Sequence, residues 1–160
     1  MRLTVYSDFS LRVLMYVALH PHERPTIAEI AASYGVSKNH LMKVVYQLGV
    51  AGYVTTLRGK NGGLRLARPA KEIGLGELVR RTEPDMALAP CFESTNGAGC
   101  PITPACKLRR ALWEARAAFL EVLDAYTLAD LVENRAPMRE LLASHRALSR
   151  PDAASLASGG

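Results

Sequence analysis

Three thiols are crowded into sixteen residues, Cys91, Cys100 and Cys106, and they are all the cysteines the chain has. Pro90, Pro101 and Pro104 break the segment, and a helical pattern follows it at once. With no export signal in view, such crowding points to a metal or redox site rather than a disulfide framework. The last thiol is also placed chemically. Thr103 reads as a helix N-cap and Pro104 as the first helical residue, which puts Cys106 in the first turn. Unpaired backbone N–H groups and the helix dipole favour a thiolate there, the form that binds metal. Proline- and glycine-rich loops are rarely buried, which argues against three inert core thiols. The expectation is a cofactor site at the hinge between two parts of the molecule.

A second set of residues could read nucleic acid. Residues 1–82 carry 12 Lys/Arg against 5 Asp/Glu, whereas residues 83–160 carry 8 against 10. The basic excess lies wholly in the first half, so a polyanion should dock there. Ser37, Lys38, Asn39, His40 and Lys43 stand at the start of a capped helix. Asparagine can pair with adenine edges, and lysine reaches guanine or phosphate. Arg58, Lys60 and Asn61 sit on a glycine-rich tip beside Gly59, Gly62 and Gly63, suited to the backbone or the minor groove. Taken singly, each of these residues is an ordinary solvated cap or turn. The combination favours double-stranded DNA, and the absence of an aromatic stacking platform on the hairpin disfavours RNA.

The elements that must position these residues are legible. Leu11, Leu14, Met15, Ala18 and Leu19 recur at helical spacing after Ser7-Asp8 and stop at His20-Pro21, an amphipathic first helix with Arg12 on its wet face. Thr26-Ile-Ala-Glu29 is a capping box that starts a second helix running to about Tyr34. Gly35-Val36 make a tight turn, and Ser37 caps a third helix that carries Leu41, Val44, Val45 and Leu48 inward: a helix-turn-helix pattern. Strands at 53–57 and 64–67 form a hairpin wing. Leu75 to Thr82 is a further helix ended by Pro84, and 84–103 has turn residues without periodicity. Beyond it, Leu108, Leu112, Ala115, Phe119, Val122 and Tyr126 are spaced 4, 3, 4, 3, 4, a coiled-coil seam on a helix about 35 Å long. A single seam helix in so short a chain needs a partner, and a homodimer is the simplest. Thr127-Leu-Ala-Asp130 caps a short helix, and Met138 to Leu148 forms one more. The fold class is mainly α with a small β-hairpin: a winged helix-turn-helix DNA-binding domain over 1–83, a cysteine-rich cluster loop over 84–103, a dimerisation helix and C-terminal helices over 104–148, and a disordered tail over 149–160. The longest apolar run, Val13 to Leu19, is too short to span a bilayer, so no membrane role and a cytoplasmic location are expected.

Ser37-Lys-Asn-His-Leu-Met-Lys-Val, Ala51-Gly-Tyr-Val-Thr, Arg58-Gly-Lys-Asn-Gly-Gly, Cys100-Pro-Ile-Thr-Pro-Ala-Cys106-Lys-Leu and Tyr126-Thr-Leu-Ala-Asp-Leu-Val-Glu-Asn together resemble the nitric-oxide-sensing repressors of the NsrR type. These belong to the winged-helix iron–sulfur regulators that include IscR, and the likeness covers about residues 1–145. The resemblance implies a homodimeric, DNA-binding transcriptional repressor whose iron–sulfur cluster, 4Fe–4S in preference to 2Fe–2S, is held by Cys91, Cys100 and Cys106. Nitric oxide nitrosylates the family's cluster, DNA affinity falls, and detoxification genes are expressed. A fourth ligand is wanted. Where IscR-like members have a histidine after the third cysteine, this chain has Lys107-Leu-Arg-Arg110; in NsrR-like members an aspartate in the partner's first helix has been assigned the role, and Asp8 occupies that place. Eight residues, Gly97 and Gly99 among them, separate Cys91 from Cys100, a longer interval than the family pattern; added loop length costs little closure entropy.

Rival readings stay open at this point. A disulfide such as Cys100–Cys106 could be the switch, with no iron or nitric oxide sensing. Structural zinc could use His20, His22, His40 or His145, although none has zinc-ligand spacing to the cysteines. An iron-responsive regulator or an iron–sulfur carrier that binds no DNA are further alternatives. No paired carboxylates, nucleophile–base motif or phosphate loop marks the chain as an enzyme.

Overall fold

The computed structural model describes residues 2–92 and 100–148. The expected tail at 149–160 and the Gly97–Gly99 stretch lie outside these residues. Seven helices and one hairpin are found among those described: α1 (Val5–Leu19), α2 (Ile27–Tyr34), α3 (Lys38–Val50), β1 (Val54–Leu57), β2 (Gly63–Leu66), α4 (Leu75–Thr82), α5 (Lys107–Asp124), α6 (Leu128–Leu131) and α7 (Arg135–Leu148).

α1 differs from its expectation. Thr4, whose hydroxyl accepts from the Ser7 N–H, caps it three residues before Ser7, where the pattern implied a start. It is also buried on nearly every side, from Ser7 and Ser10 through Val13, Leu14, Tyr16, Val17, Ala18 and Leu19. Arg12 is correspondingly half-buried, paired with Asp8 at 3.0 Å and lying over the Tyr34 ring at 5.5 Å. The reason is topological: α2, α3, α4, α6 and β2 all pack on this helix. A helix that is apolar all round sits at the centre of a core.

The helix-turn-helix forms as its caps dictate. Thr26 and Glu29 close a reciprocal capping box on α2, and Gly35 ends that helix in the left-handed conformation, φ 63°. Ser37 occupies the N-cap of α3 without a side-chain hydrogen bond, so its expected capping bond is absent. Leu41, Val44, Val45 and Leu48 point into the core, beside Ile30 and Ala31 of α2. In the wing, β1 and β2 pair antiparallel, with Val54 opposite Leu66 and Leu57 opposite Gly63. Tyr53, Val54 and Leu64 close the core beneath it.

The second half of the chain divides. α5 leaves the first lobe and touches it chiefly through α4. α6 and α7 return to that lobe. The Thr127–Asp130 capping box starts α6, and Leu128 and Val132 enter the core. α7 lies along α2, inserting Met138 and Leu142 and pairing Arg139 with Glu23 at 2.5 Å and Arg146 with Glu29 at 3.8 Å. A Cβ built on Gly35 would stand 3.0 Å from Cε1 of His145, so the interhelical turn and α7 are in contact. Gly35→Ala should therefore lose about 1–2 kcal/mol of stability, since the left-handed backbone is unfavourable for an L side chain and His145 must shift. The midpoint of urea unfolding is the measurement.

Candidate nucleic-acid interface and cysteine site

Ser37, Lys38, Asn39, His40 and Lys43 are all exposed on one end of α3, and Arg58, Lys60 and Asn61 are exposed at the wing tip. The ring of His40 lies 6.4 Å from Phe9 of α1. Three further residues belong to this face. Met42 and Tyr46 are 45% and 69% exposed on α3, one and two turns past Lys38, where large apolar groups are out of place unless something covers them. Arg24 holds the wing: its guanidinium donates to the Asn61 carbonyl at 3.2 Å, while the Leu64 N–H donates to the Pro25 carbonyl at 2.9 Å. Helical periodicity from Lys38 and Asn39 could have found Met42 and Tyr46. No local signal could have found Arg24, whose partner is distant in sequence.

The root of the wing is an electrostatic knot. Glu77 of α4 accepts from the Tyr53 hydroxyl at 2.9 Å and from Arg68 at 2.8 Å, and the Arg68 guanidinium lies 4.8 Å over the Tyr53 ring. The hydrogen bond from Arg68 leads in holding the Glu77 carboxyl below its usual range. Burial, then the Glu77 carboxylate, push the Tyr53 phenol up to about 12. Near the same end of α4, beside Gly76, Arg80 makes a bidentate pair with Asp124 of α5, at 2.6 and 2.5 Å. Beside it the Leu75 N–H donates to the Tyr126 carbonyl and the Leu128 N–H to the Ile73 carbonyl. α4 thus joins the wing root to the long helix.

The described parts of the cysteine segment hold 3-10 turns that its sequence did not imply, at Pro90–Phe92 and Thr103–Ala105. The expected cap is displaced. Thr103 and Pro104 form the second of these turns, and Cys106 itself is the N-cap of α5, its sulfur accepting from the Arg109 N–H at 3.4 Å. Proline restricts the residue before it and supports a tight turn as readily as a helix start. Cys91 and Cys106 are half-buried and Cys100 is exposed, all three as free thiols. Thr103, Cys106, Lys107, Arg110 and Trp113 help line a cleft of about 510 Å³. Among the described residues, no three Cys, His, Asp or Glu side chains are gathered closely enough to hold a metal ion. Asp8, in the first turns of α1, is paired with Arg12. The seam is split: on α5 Leu108 and Val122 are 67% and 60% exposed and Ala115 is exposed, Leu112 and Phe119 are half-buried, and Tyr126, 47% exposed, falls past the end of the helix at Asp124. Phe119 lines an apolar groove with Leu75 and Val79 of α4.

Residues 3–134 match the Rrf2 family, described as iron-dependent transcriptional regulators. The chain belongs to this family. It is 51% identical over 147 residues to the HTH-type transcriptional regulator NsrR of Geobacillus kaustophilus, spanning 91% of this chain and 99% of that protein. It is 49% identical over 143 residues to the NsrR regulator of Bacillus subtilis, spanning 89% and 97%. Among solved structures, the B. subtilis global cysteine regulator CymR is similar at TM-score 0.67 and 28% identity, over 84% of this chain and 98% of that one. IscR of T. potens is similar in fold, at TM-score 0.65 and 24% identity over 84% and 88% of the two chains. The relatives are regulators of transcription rather than enzymes, and the winged helix of this Rrf2 chain is theirs. No helix among the described residues is long and apolar enough to cross a membrane.

The knot at the wing root has a pH signature. An unfolded tyrosine titrates near 10, so between about pH 10 and 12 the folded chain keeps a proton on Tyr53 that the unfolded chain loses. The contribution is complete below about pH 10 and drains away as pH rises towards 12. Burial likewise pushes Tyr34 up to about 12, so it shares this window. Tyr53→Phe should lower stability at neutral pH, by loss of the Glu77 bond, yet lose less than wild type on going from about pH 9.5 to 11.5. Urea midpoints across that range check the sign.

Proposed function

We propose that the chain is a nitric-oxide-sensing repressor, cytoplasmic and homodimeric, that binds operator DNA through α3 and the wing and leaves it when nitric oxide reaches an iron–sulfur centre held by Cys91, Cys100 and Cys106. The observation that carries this reading is one helix, α4, tied through Glu77 to the root of an exposed basic reading head and through Arg80 to the helix that Cys106 caps, in a family described as iron-dependent. Identity of about half to NsrR regulators over nearly the whole length supports the nitric oxide part.

The donor set fits such a centre. Three thiols are available, and Cys106 already receives an N–H at a helix N-terminus. Buried Nε of Arg109 and Oγ1 of Thr103 have no hydrogen-bond partner, two donors on residues that line the same cleft as Cys106. Lys107, Arg109 and Arg110 follow directly, and positive charge offsets the excess negative charge of thiolates on iron. When bound, the centre would supply iron that takes up nitric oxide, with 4Fe–4S preferred over 2Fe–2S. Asp8 is the proposed fourth ligand, across the dimer, and would have to exchange its Arg12 partner for metal. A second copy laid along α5 would cover Leu108, Ala115, Val122 and Tyr126. The Arg80–Asp124 and Glu77–Arg68 links would then pass any shift of α5 to the wing, and so to the roughly 34 Å spacing of paired recognition helices. No catalysis is assigned to the chain.

The test is iron and sulfide content, with a visible spectrum, after oxygen-free purification, followed by operator binding before and after nitric oxide. Cys91→Ser, Cys100→Ser and Cys106→Ser should each abolish tight binding, and Asp8→Ala should weaken cluster retention. Colourless protein that still represses would instead support a thiol switch. For the DNA face, Arg58→Ala and Lys60→Ala should each weaken binding across all sequences and reduce the slope of log K against log salt by about 0.9. Unaltered slopes would remove the wing from the interface.

A further inference from the structure

Besides the face turned towards α4, helix α5 carries a second stripe: Cys106, Arg109, Trp113 and Arg116, spaced three, four and three. Such residues share one side of a helix. Against this stripe lies Phe92, the chain neighbour of Cys91. Its ring is nearly parallel to that of Trp113, 14° apart with centroids at 6.3 Å. The Arg109 and Arg116 guanidinium groups stand 5.6 and 5.5 Å from the Phe92 centroid, and Arg116 also lies 4.4 Å over Trp113. The Phe92 N–H donates to the Ala89 carbonyl at 2.9 Å, closing the turn that carries Cys91. Arg109 therefore touches both thiol segments, with its backbone N–H on the Cys106 sulfur and its side chain over Phe92.

We propose that Trp113, with Arg109 and Arg116, is a positioning cradle that seats Phe92 and so fixes Cys91 against α5 before any metal arrives. Cys91 and Cys106 then form a prearranged pair, and the exposed Cys100 closes the site last. The inference rests on the iron–sulfur reading for what the pair holds, but the cradle itself is a property of the iron-free chain. Its chemistry suits the place. An aromatic face holds a guanidinium by its quadrupole and leaves the charge in being, whereas a carboxylate would cancel it. Arg110 shows the contrast, being paired with Glu114 at 3.0 Å. Among the described residues, neither Arg109 nor Arg116 has a carboxylate partner.

The test compares full-length wild type, Trp113→Ala and Trp113→Phe. Trp113 is 53% exposed, so neither change opens a core. In the reduced, iron-free proteins, hydrogen exchange over 87–92 should be about fivefold faster in Trp113→Ala and close to wild type in Trp113→Phe. After reconstitution, loss of iron to a chelator should be about tenfold faster in Trp113→Ala and restored in Trp113→Phe. Trp113 is the sole tryptophan, so Phe92→Leu should shift its emission to the red if the two rings stack in solution. Unchanged exchange over 87–92 in Trp113→Ala overturns the cradle whatever iron does. Faster exchange with unchanged iron loss overturns the positioning role. If wild type itself takes up no iron while the exchange and emission results hold, the cradle is supported and the iron–sulfur reading fails.

Discussion

The close crossing of α4 over the end of α5 is the constraint on which the rest of the architecture turns. A Cβ at Gly76 would meet the Asp124 carboxylate and the Arg80 guanidinium, so the absence of a side chain there leaves room for the pair that joins the two helices. At that contact Arg80 grips Asp124 with both nitrogens, and the short bridge of Gly74 to Thr127 fixes the chain on either side. The pair is half-exposed, so its value lies in geometry more than in energy. It sets the angle at which the long helix leaves the reading head.

Stability and signalling are drawn from different residues. The core is assembled from α1 outward, with Leu14, Leu19, Ile30, Leu41, Leu48, Leu64, Leu78 and Leu128 fully buried around it. Burial of each such side chain is worth about 1.5–3 kcal/mol, which leaves the fold independent of the cysteine segment. That segment touches the rest through aromatic and guanidinium groups on α5. A loop that can be rearranged without dissolving the core is what a switch requires.

Much of the fold was legible because its signals are local. The Thr26–Glu29 and Thr127–Asp130 capping boxes, the Gly35 turn and the alternation around Arg58–Gly63 each name an element within a few residues. What escaped was what depends on packing. Burial of α1 on all sides cannot be read from its own pattern once five neighbours compete for it. The place of Cys106 as the cap itself, three residues beyond the expected cap Thr103, was settled by a 3-10 turn that the same residues also favour. The α5 seam mixed two faces, because Phe119 is drawn into a groove by α4 while Val122 is not. For the site, the thiols and the basic tip were visible by residue type alone. Arg24, Phe92 and Trp113 were not, since their roles come from partners far away in sequence or from stacking.

The return of α7 to α2 bears on how the molecule comes into being. The helix-turn-helix and wing are translated first, yet the turn at Gly35 and the carboxylates of Glu23 and Glu29 find their counterparts on the last helix described. Until α7 has been made, the reading head stands without its buttress, so a chain cut short before α7 keeps a head that lacks its support.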